Sequence, residues 1–290
     1  MNPITAQEVA AILKQGRYPD APLQLIKEGA RPIADNVKPP QKFEVRLALD
    51  VLRKHRHFDL MHLVGSAWRR SCGCDPVIQQ HLVQSVVELG GFDWADELLD
   101  EIYAAAAAHP KDQEYVVRAP EYHGLRGRIR KQRYVHTGDV NYLVEAVESY
   151  QHYLSAKPSY YLAVNVLALR TRLHDLGLDT PGRPLTTLAR DVLRQAVGAA
   201  RTNPNDPWAF STISEACLAL DRLSPSDQWY DNAELGLFRF LSHPKTGPFE
   251  VESYFRQVRE IWDGNPLDSA LCAGRLATIF ERYLMRTQQR

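Results

Sequence analysis

The sequence predicts an all-α architecture of antiparallel helical hairpins, and three observations carry that prediction. Apolar residues recur three and four apart along most of the chain, the period of one face of an α-helix. Segments that alternate apolar and polar residues between paired Gly or Asn turns, as strands would, are nearly absent. The stop signals between periodic segments are short, so successive helices must fold back on one another.

The elements follow in order. Phe43 to His55 and Phe58 to Ser71 form the first pair of periodic segments, and Pro76 to Leu89 follows, closed by Gly90-Gly91. Trp94 to Ala108 ends at His109-Pro110, and Val140 to Ala156 ends at Lys157-Pro158. Tyr160 to Leu176 stops at Gly177, Leu185 to Arg201 at Asn203-Pro204, and Trp208 to Leu223 at Ser224-Pro225. Gln228 to Leu241, Phe249 to Trp262 and Leu267 to Met285 complete the series, separated by His243-Pro244 and Gly264-Asn265-Pro266. Glycine and proline at these places are the ordinary punctuation of helices.

A repeat runs through the segments. Ala95, Leu99 and Ile102 are spaced four and three apart, and the pattern returns at Ala146, Tyr150, Tyr153, at Ala189, Leu193, Ala196, and at Ala233, Leu237, Phe240. Its starts are separated by 51, 43 and 44 residues. Such spacing suits the second helix of a hairpin, where a small Ala lets the paired helix approach and larger residues fill the gap to the next hairpin. With Pro158 five residues after Tyr153, the pattern matches a tetratricopeptide unit of longer period than the usual value of about 34 residues. The fold class expected is therefore all-α: a tetratricopeptide-like α-solenoid of antiparallel helical hairpins, about six in one continuous stack. Residues 41–290 make up the array and residues 1–40 an N-terminal helical cap, since Gly16-Arg-Tyr-Pro-Asp-Ala21 resembles a hairpin turn and Pro32, Pro39 and Pro40 set it off. A cap of that kind covers the apolar end of a solenoid.

Composition bounds the function classes. The 290 residues carry 35 Lys+Arg against 35 Asp+Glu, with 44% hydrophobic and 24% charged, close to the averages of folded soluble chains. Zero net charge removes the global attraction that a bulk polyanion binder or an anionic-membrane binder uses, so nucleic acid is not the partner expected. Neither a secretory leader nor an apolar run long enough to span a bilayer is present, and the expectation is a cytoplasmic protein without membrane partners. Cys72 and Cys74 share a Cys-Gly-Cys spacing, while Cys217 and Cys272 stand alone; zinc sites ordinarily show a second ligand pair, so free or structural thiols are expected, with no metal and no cofactor. His55, His57 and His62 lack the four-residue spacing of a metal helix and read as solvated loop histidines. No Gly-x-Ser-x-Gly elbow, zinc-protease helix or phosphate-binding Gly-Lys loop occurs, so no catalytic residue is assigned.

Four stretches carry a family resemblance. They are Gly124-Leu-Arg-Gly-Arg-Ile-Arg-Lys131, Tyr150 with Lys157-Pro-Ser-Tyr-Tyr-Leu-Ala-Val-Asn165, Asn205-Asp-Pro-Trp-Ala-Phe-Ser-Thr-Ile-Ser-Glu-Ala216, and Pro248-Phe-Glu-Val-Glu-Ser-Tyr-Phe-Arg-Gln257 with Trp262. In this order they resemble the TRAFs-binding region of apoptosis signal-regulating kinases, and still more its bacterial relatives, which stand alone or are fused to protease-like and other effectors. The resemblance implies a regulatory, protein-binding helical array and no kinase activity. Arg130 stands where relatives tend to have an aromatic residue.

Two groups of side chains are candidates for binding. Arg126, Arg128, Arg130 and Arg133 fall in the most cationic stretch; on a helix Arg126, Arg130 and Arg133 lie within about 60° of one another. They read either as an anion site for a nucleotide or nucleic-acid phosphate, or as interhelix bridges to acids such as Glu145 and Glu148. Tyr160, Tyr161 and Asn165 form a second cluster, in which Asn165 lies one turn after Tyr161 so that both can face one groove, suited to peptide capture or to an interhelix hydrogen bond. Trp208, Arg256 and Gln257 complete the partner-binding candidates, Trp208 following the Asp206-Pro207 helix start and Glu215 suiting a buried pair with Arg256. The function expected is a non-catalytic interaction scaffold or regulatory subunit controlling a partner effector, a protease-like, stress, defence or cell-death enzyme; the alternative is a sensor of an anionic ligand. A homo-oligomer is compatible with either.

Overall fold

The computed structural model describes residues 42–154, 159–178, 182–264, 267 and 271–288; the expected cap at residues 1–40, Pro158 and the side chain of Tyr153 lie outside them. Among the described residues every regular element is a helix. The chain divides into two compact units, Met1–Gln132 and Arg133–Arg290.

The first unit contains α1 (Lys42–Lys54), α2 (Phe58–Cys72), α3 (Pro76–Glu88) and α4 (Phe92–Ala108), together with most of α5 (Gln113–Thr137). Consecutive helices α1 to α4 pack on one another, and α1 also packs on α3. Helix α3 begins where Asp75 accepts hydrogen bonds from the Val77 and Ile78 amides at 3.1 and 3.0 Å with Pro76 in the first turn, a start that satisfies two otherwise orphaned donors. It ends in a left-handed turn at Gly90 (φ +82°), with the Gly91 amide donating to the Val86 carbonyl at 2.9 Å, the glycine-terminated closure common at helix ends. Every residue from Pro76 to Val87 except Gln80 is buried, so α3 is the central helix of the unit. Helices α2 and α4 lie side by side on it: His62 meets Trp94 edge-on at 5.1 Å, and two turns later Arg69 donates to Glu101. The core is Leu82, Val83, Val86 and Val87 of α3 against Ala95, Leu98, Leu99 and Ile102 of α4 and Tyr122, Leu125 and Ile129 of α5.

Helix α5 is the one long element that periodicity did not delimit. Pro120 lies inside it, removing one ladder donor, and Gly124 and Gly127 interrupt the apolar pattern at buried positions. Its last turns belong to the second unit.

That second unit contains α6 (Val140–Leu154), α7 (Tyr160–Asp175), α8 (Leu185–Thr202), α9 (Pro207–Leu223), α10 (Asp227–Leu241), α11 (Pro248–Glu260) and α12 (Cys272–Gln288). Neighbours in sequence pack pairwise from α6 to α10, α7 packs on α9, and α12 packs on α9, α10 and α11. The pair α9 and α10 is antiparallel, because Trp208 meets Phe240 while, further along α9, the Ser214 hydroxyl donates to the Ala233 carbonyl at 2.6 Å. Gly236 makes this approach close: a Cβ there would lie 2.9 Å from the Ser214 amide nitrogen and 3.1 Å from the Phe210 carbonyl oxygen. Helices α7 and α9 are buried along most of their length.

The repeat positions are the seams. Ala95, Ala146, Ala189 and Ala233 are all fully buried, as are Leu99, Ile102, Ala196, Leu237 and Phe240. The chain is thus all-α and tetratricopeptide-like, and α4, α8 and α10 each pack on the helix before them. Trp262 and Phe255 sit in the core of the last hairpin. His62, expected in a loop, lies on α2 because the helix starts at Phe58; burial lowers its pKa below the usual histidine value.

Candidate functional site

Burying a helix along its whole length puts polar side chains into the interior, where each must find a partner. In the first unit the first helices α1, α3 and α5 carry such a row. Asp75 is nearly inaccessible and takes Arg46 through two nitrogens, at 3.1 and 2.6 Å, and Lys42 at 2.7 Å; Arg46 also donates to Glu114 with both terminal nitrogens at 2.7 Å. These cations hold the Asp75 carboxyl below the usual carboxylate range even though burial opposes it, and Arg46 does the same for Glu114. Gln79 donates to the Leu98 carbonyl and to Glu101, and Arg118 donates to Gln80 at 2.9 Å. His81 sits among them at 8% exposure, with its Nδ1 lacking a hydrogen-bond partner among the described residues. Burial, reinforced by Arg53, pushes its pKa down to about 4, so the ring is neutral in the fold at neutral pH.

The α5 arginines are tied to α3 and α4. Arg128 pairs with Glu88 at 2.7 Å, and the Glu88 carboxylate is only 3% exposed. Arg126 bonds Asp96 at 3.1 Å and also Asp100, while Arg130 bonds the other oxygen of Asp96. The Arg126 guanidinium also lies over the Tyr103 ring at 5.4 Å. Arg133, in the other unit, lies over the Tyr142 ring at 5.5 Å. The partners described for Arg126, Arg128 and Arg130 are therefore Glu88, Asp96 and Asp100; sequence reasoning named Glu145 and Glu148 because it could not see which helix α5 crosses.

In the second unit the remaining candidates fall on α7, α9 and α11. Tyr160 donates its hydroxyl to Asp206, the residue that caps α9 by accepting from the Trp208 amide at 3.0 Å. Burial and that carboxylate together raise the Tyr160 pKa above the usual phenol value. Tyr161 is 40% exposed, whereas Asn165 is buried and donates to the Tyr161 carbonyl one turn back at 2.9 Å. Trp208 is half-buried and packs on Phe240 at 6.0 Å. Gln257 donates to Glu215 at 3.3 Å, and Trp262 donates its indole N–H to the same Glu215 oxygen at 2.9 Å. Arg256 lies 3.9 Å from Glu260 on its own helix. The structure thus brings Tyr160 to the start of α9 and Gln257 to its middle.

Two exposed cations escaped sequence reading. Arg190 and Arg201 of α8 lie on the same helix face as Arg194 and are solvent-exposed; Arg194 pairs with Asp191 at 2.8 Å. The alternation of Arg with Ala and Val hid the row within an apolar seam pattern. Among the described residues no three His, Cys, Asp or Glu side chains are grouped to hold a metal ion, and no helix is long and apolar enough to cross a membrane.

A family model described as Tetratricopeptide Repeats-Sensor matches residues 59–170, a span that runs from α2 into α7. The match supports a tetratricopeptide-like repeat protein with an interaction or sensor role. No curated protein matches the chain.

Proposed function

We propose that the protein is a regulatory interaction module, itself without a catalytic reaction, that holds and controls a partner effector protein in the cytoplasm. The observation that supports this reading best is the placement of polar side chains on helices otherwise buried in the hairpin stack: Asp75, His81 and Gln84 on α3, Asn165 on α7, Thr212 and Glu215 on α9. Solenoid arrays of this kind bind partners on an extended concave surface, and Tyr161 is exposed one turn before Asn165 while Trp208 is half-buried beside Asp206. The resemblance to bacterial relatives fused to effectors suggests a protease-like, stress, defence or cell-death enzyme as the partner.

Co-expression with the products of adjacent genes tests the reading. A neighbour that co-purifies in fixed ratio, and is released by the Tyr161→Ala, Trp208→Ala double variant with the fold intact, supports it. If none co-purifies at low and moderate salt, the reading is wrong.

The family's description as a sensor favours one second reading, recognition of a small anionic ligand by Arg126 and Arg130. Such a ligand would compete with Asp96 and Asp100 for the α5 guanidinium groups. Nucleotide binding that falls steeply with salt and disappears in the Arg126→Ala, Arg130→Ala double variant supports it; unchanged binding by that variant excludes it.

A further inference from the structure

We propose that Cys72 and Cys74 form an oxidative modification site, a dithiol that closes to an intrachain disulfide by exchange with a low-molecular-weight disulfide of the glutathione class. All four cysteines are free, but only these two are exposed. Cys217 and Cys272 are buried, and burial pushes both thiols up to about 12, which leaves them inert because the thiolate is the reacting form.

Chain geometry brings the exposed pair within reach. Two residues apart, their Cα atoms cannot be separated by more than about 7.6 Å, two virtual bonds of about 3.8 Å, and a disulfide needs about 4.4–6.8 Å. Gly73 between them ends α2 with φ +83° and ψ −160°, a conformation that favours glycine, and donates its amide to the Arg69 carbonyl at 3.2 Å. A Cβ at Gly73 would meet nothing within 4 Å, so the backbone between the two thiols has open space in which to adjust. The Cys74 thiol is hydrogen-bonded to the Tyr115 hydroxyl, and its pKa lies above the usual thiol value because partial burial, with the nearby Glu101 and Asp75 carboxylates, outweighs that bond and the weaker pull of Arg69.

The chemistry balances in two exchanges. The Cys72 thiolate, formed by loss of its proton to water, attacks one sulfur of glutathione disulfide; the Cys72–glutathione bond forms and one glutathione thiolate leaves. Cys74, deprotonated in turn, attacks the Cys72 sulfur, the intrachain S–S bond forms and the second glutathione leaves. Both departing thiolates take up the protons released, so the protein loses two hydrogens and one disulfide becomes two thiols. An exposed disulfide in so small a ring is strained and readily reduced, which makes the modification reversible. Its effect is local: Cys74 immediately precedes Asp75, which caps α3 and holds Arg46 and Lys42, so closing the ring pulls on that anchor.

Incubating the full chain with oxidised and reduced glutathione at a series of ratios, then trapping thiols and measuring the intact mass and the peptide that begins at Ser71, tests the proposal. The wild type is expected to lose two hydrogens within that peptide, to carry no lasting glutathione and to recover on dithiothreitol treatment. Cys72→Ser and Cys74→Ser are each expected to retain one glutathione on the remaining thiol. A stable glutathione adduct on the wild type, linkage to a second chain, or a wild type that stays reduced at the most oxidising ratio would each overturn the site.

Discussion

His81 offers the most direct measurement of how the first unit is held together. Its imidazole is buried and faces Asp50 and Arg53 of α1 and Arg118 of α5. The dominant effect is desolvation, with both arginines disfavouring the cation and Asp50 only partly opposing them, so its pKa in the fold is about 4 against an ordinary value of 6.5. The unfolded chain therefore binds a proton that the folded chain refuses. The stabilisation from the neutral ring is complete above about pH 6.5, is lost progressively as pH falls, and is gone near about pH 4, where the folded form also protonates. At about 1.4 kcal/mol for each pH unit across that window, the loss is about 3 kcal/mol. Urea unfolding of the wild type and of His81→Gln, followed by circular dichroism from neutral pH downward, isolates the effect. Carboxylates such as Asp50, Asp75 and Glu114, held below their ordinary range by cations, stabilise above their ordinary pKa and lose this mainly below pH 4, in both proteins alike. The stability of the wild type relative to the variant is expected to fall by about 3 kcal/mol between those pH values. Parallel pH profiles, or a directly measured His81 pKa near the ordinary value, would refute the reasoning.

Further perturbations separate packing from charge. Gly236→Ala forces a methyl against the α9 backbone and is expected to cost about 1–3 kcal/mol by overpacking, whereas Gly198→Ala, with nothing within 4 Å of its Cβ in the middle of α8, is expected to add about 0.5–1 kcal/mol; melting curves should move in opposite directions. Arg128→Ala leaves the buried Glu88 carboxylate without this cation and is expected to cost about 3 kcal/mol in chemical unfolding, while an effect under about 0.5 kcal/mol would mean the pair is solvated. Glu215→Ala removes the acceptor of the Trp262 indole and the Gln257 amide and is expected to cost about 2–4 kcal/mol; Glu215→Gln keeps an acceptor and should cost less, and equal losses would show that the hydrogen bonds contribute little.

What the sequence determined by itself was local. An apolar residue every three or four positions produces a helix wherever it occurs, Asp75-Pro76 and Asp206-Pro207 start helices by capping their own first turns, and the recurring Ala marks the seam of each hairpin because only a small side chain lets two helices approach. Those signals need no knowledge of what lies across the interface, and they located the seams at Ala95, Ala146, Ala189 and Ala233. Helix α5 escaped in outline because Pro120, Gly124 and Gly127 break the periodicity within a helix that its neighbours nevertheless stabilise. Partners, by contrast, were decided by the tertiary structure alone. Arg126 and Arg130 meet at Asp96, Arg128 reaches Glu88, and Trp262 bonds Glu215 across 47 residues of chain. Asn165, equally suited by sequence to a peptide or to a neighbouring helix, donates to its own helix at Tyr161. Which charge or amide faces which depends on where two helices cross, and a crossing point is set by the packing of both surfaces together rather than by the pattern of either one.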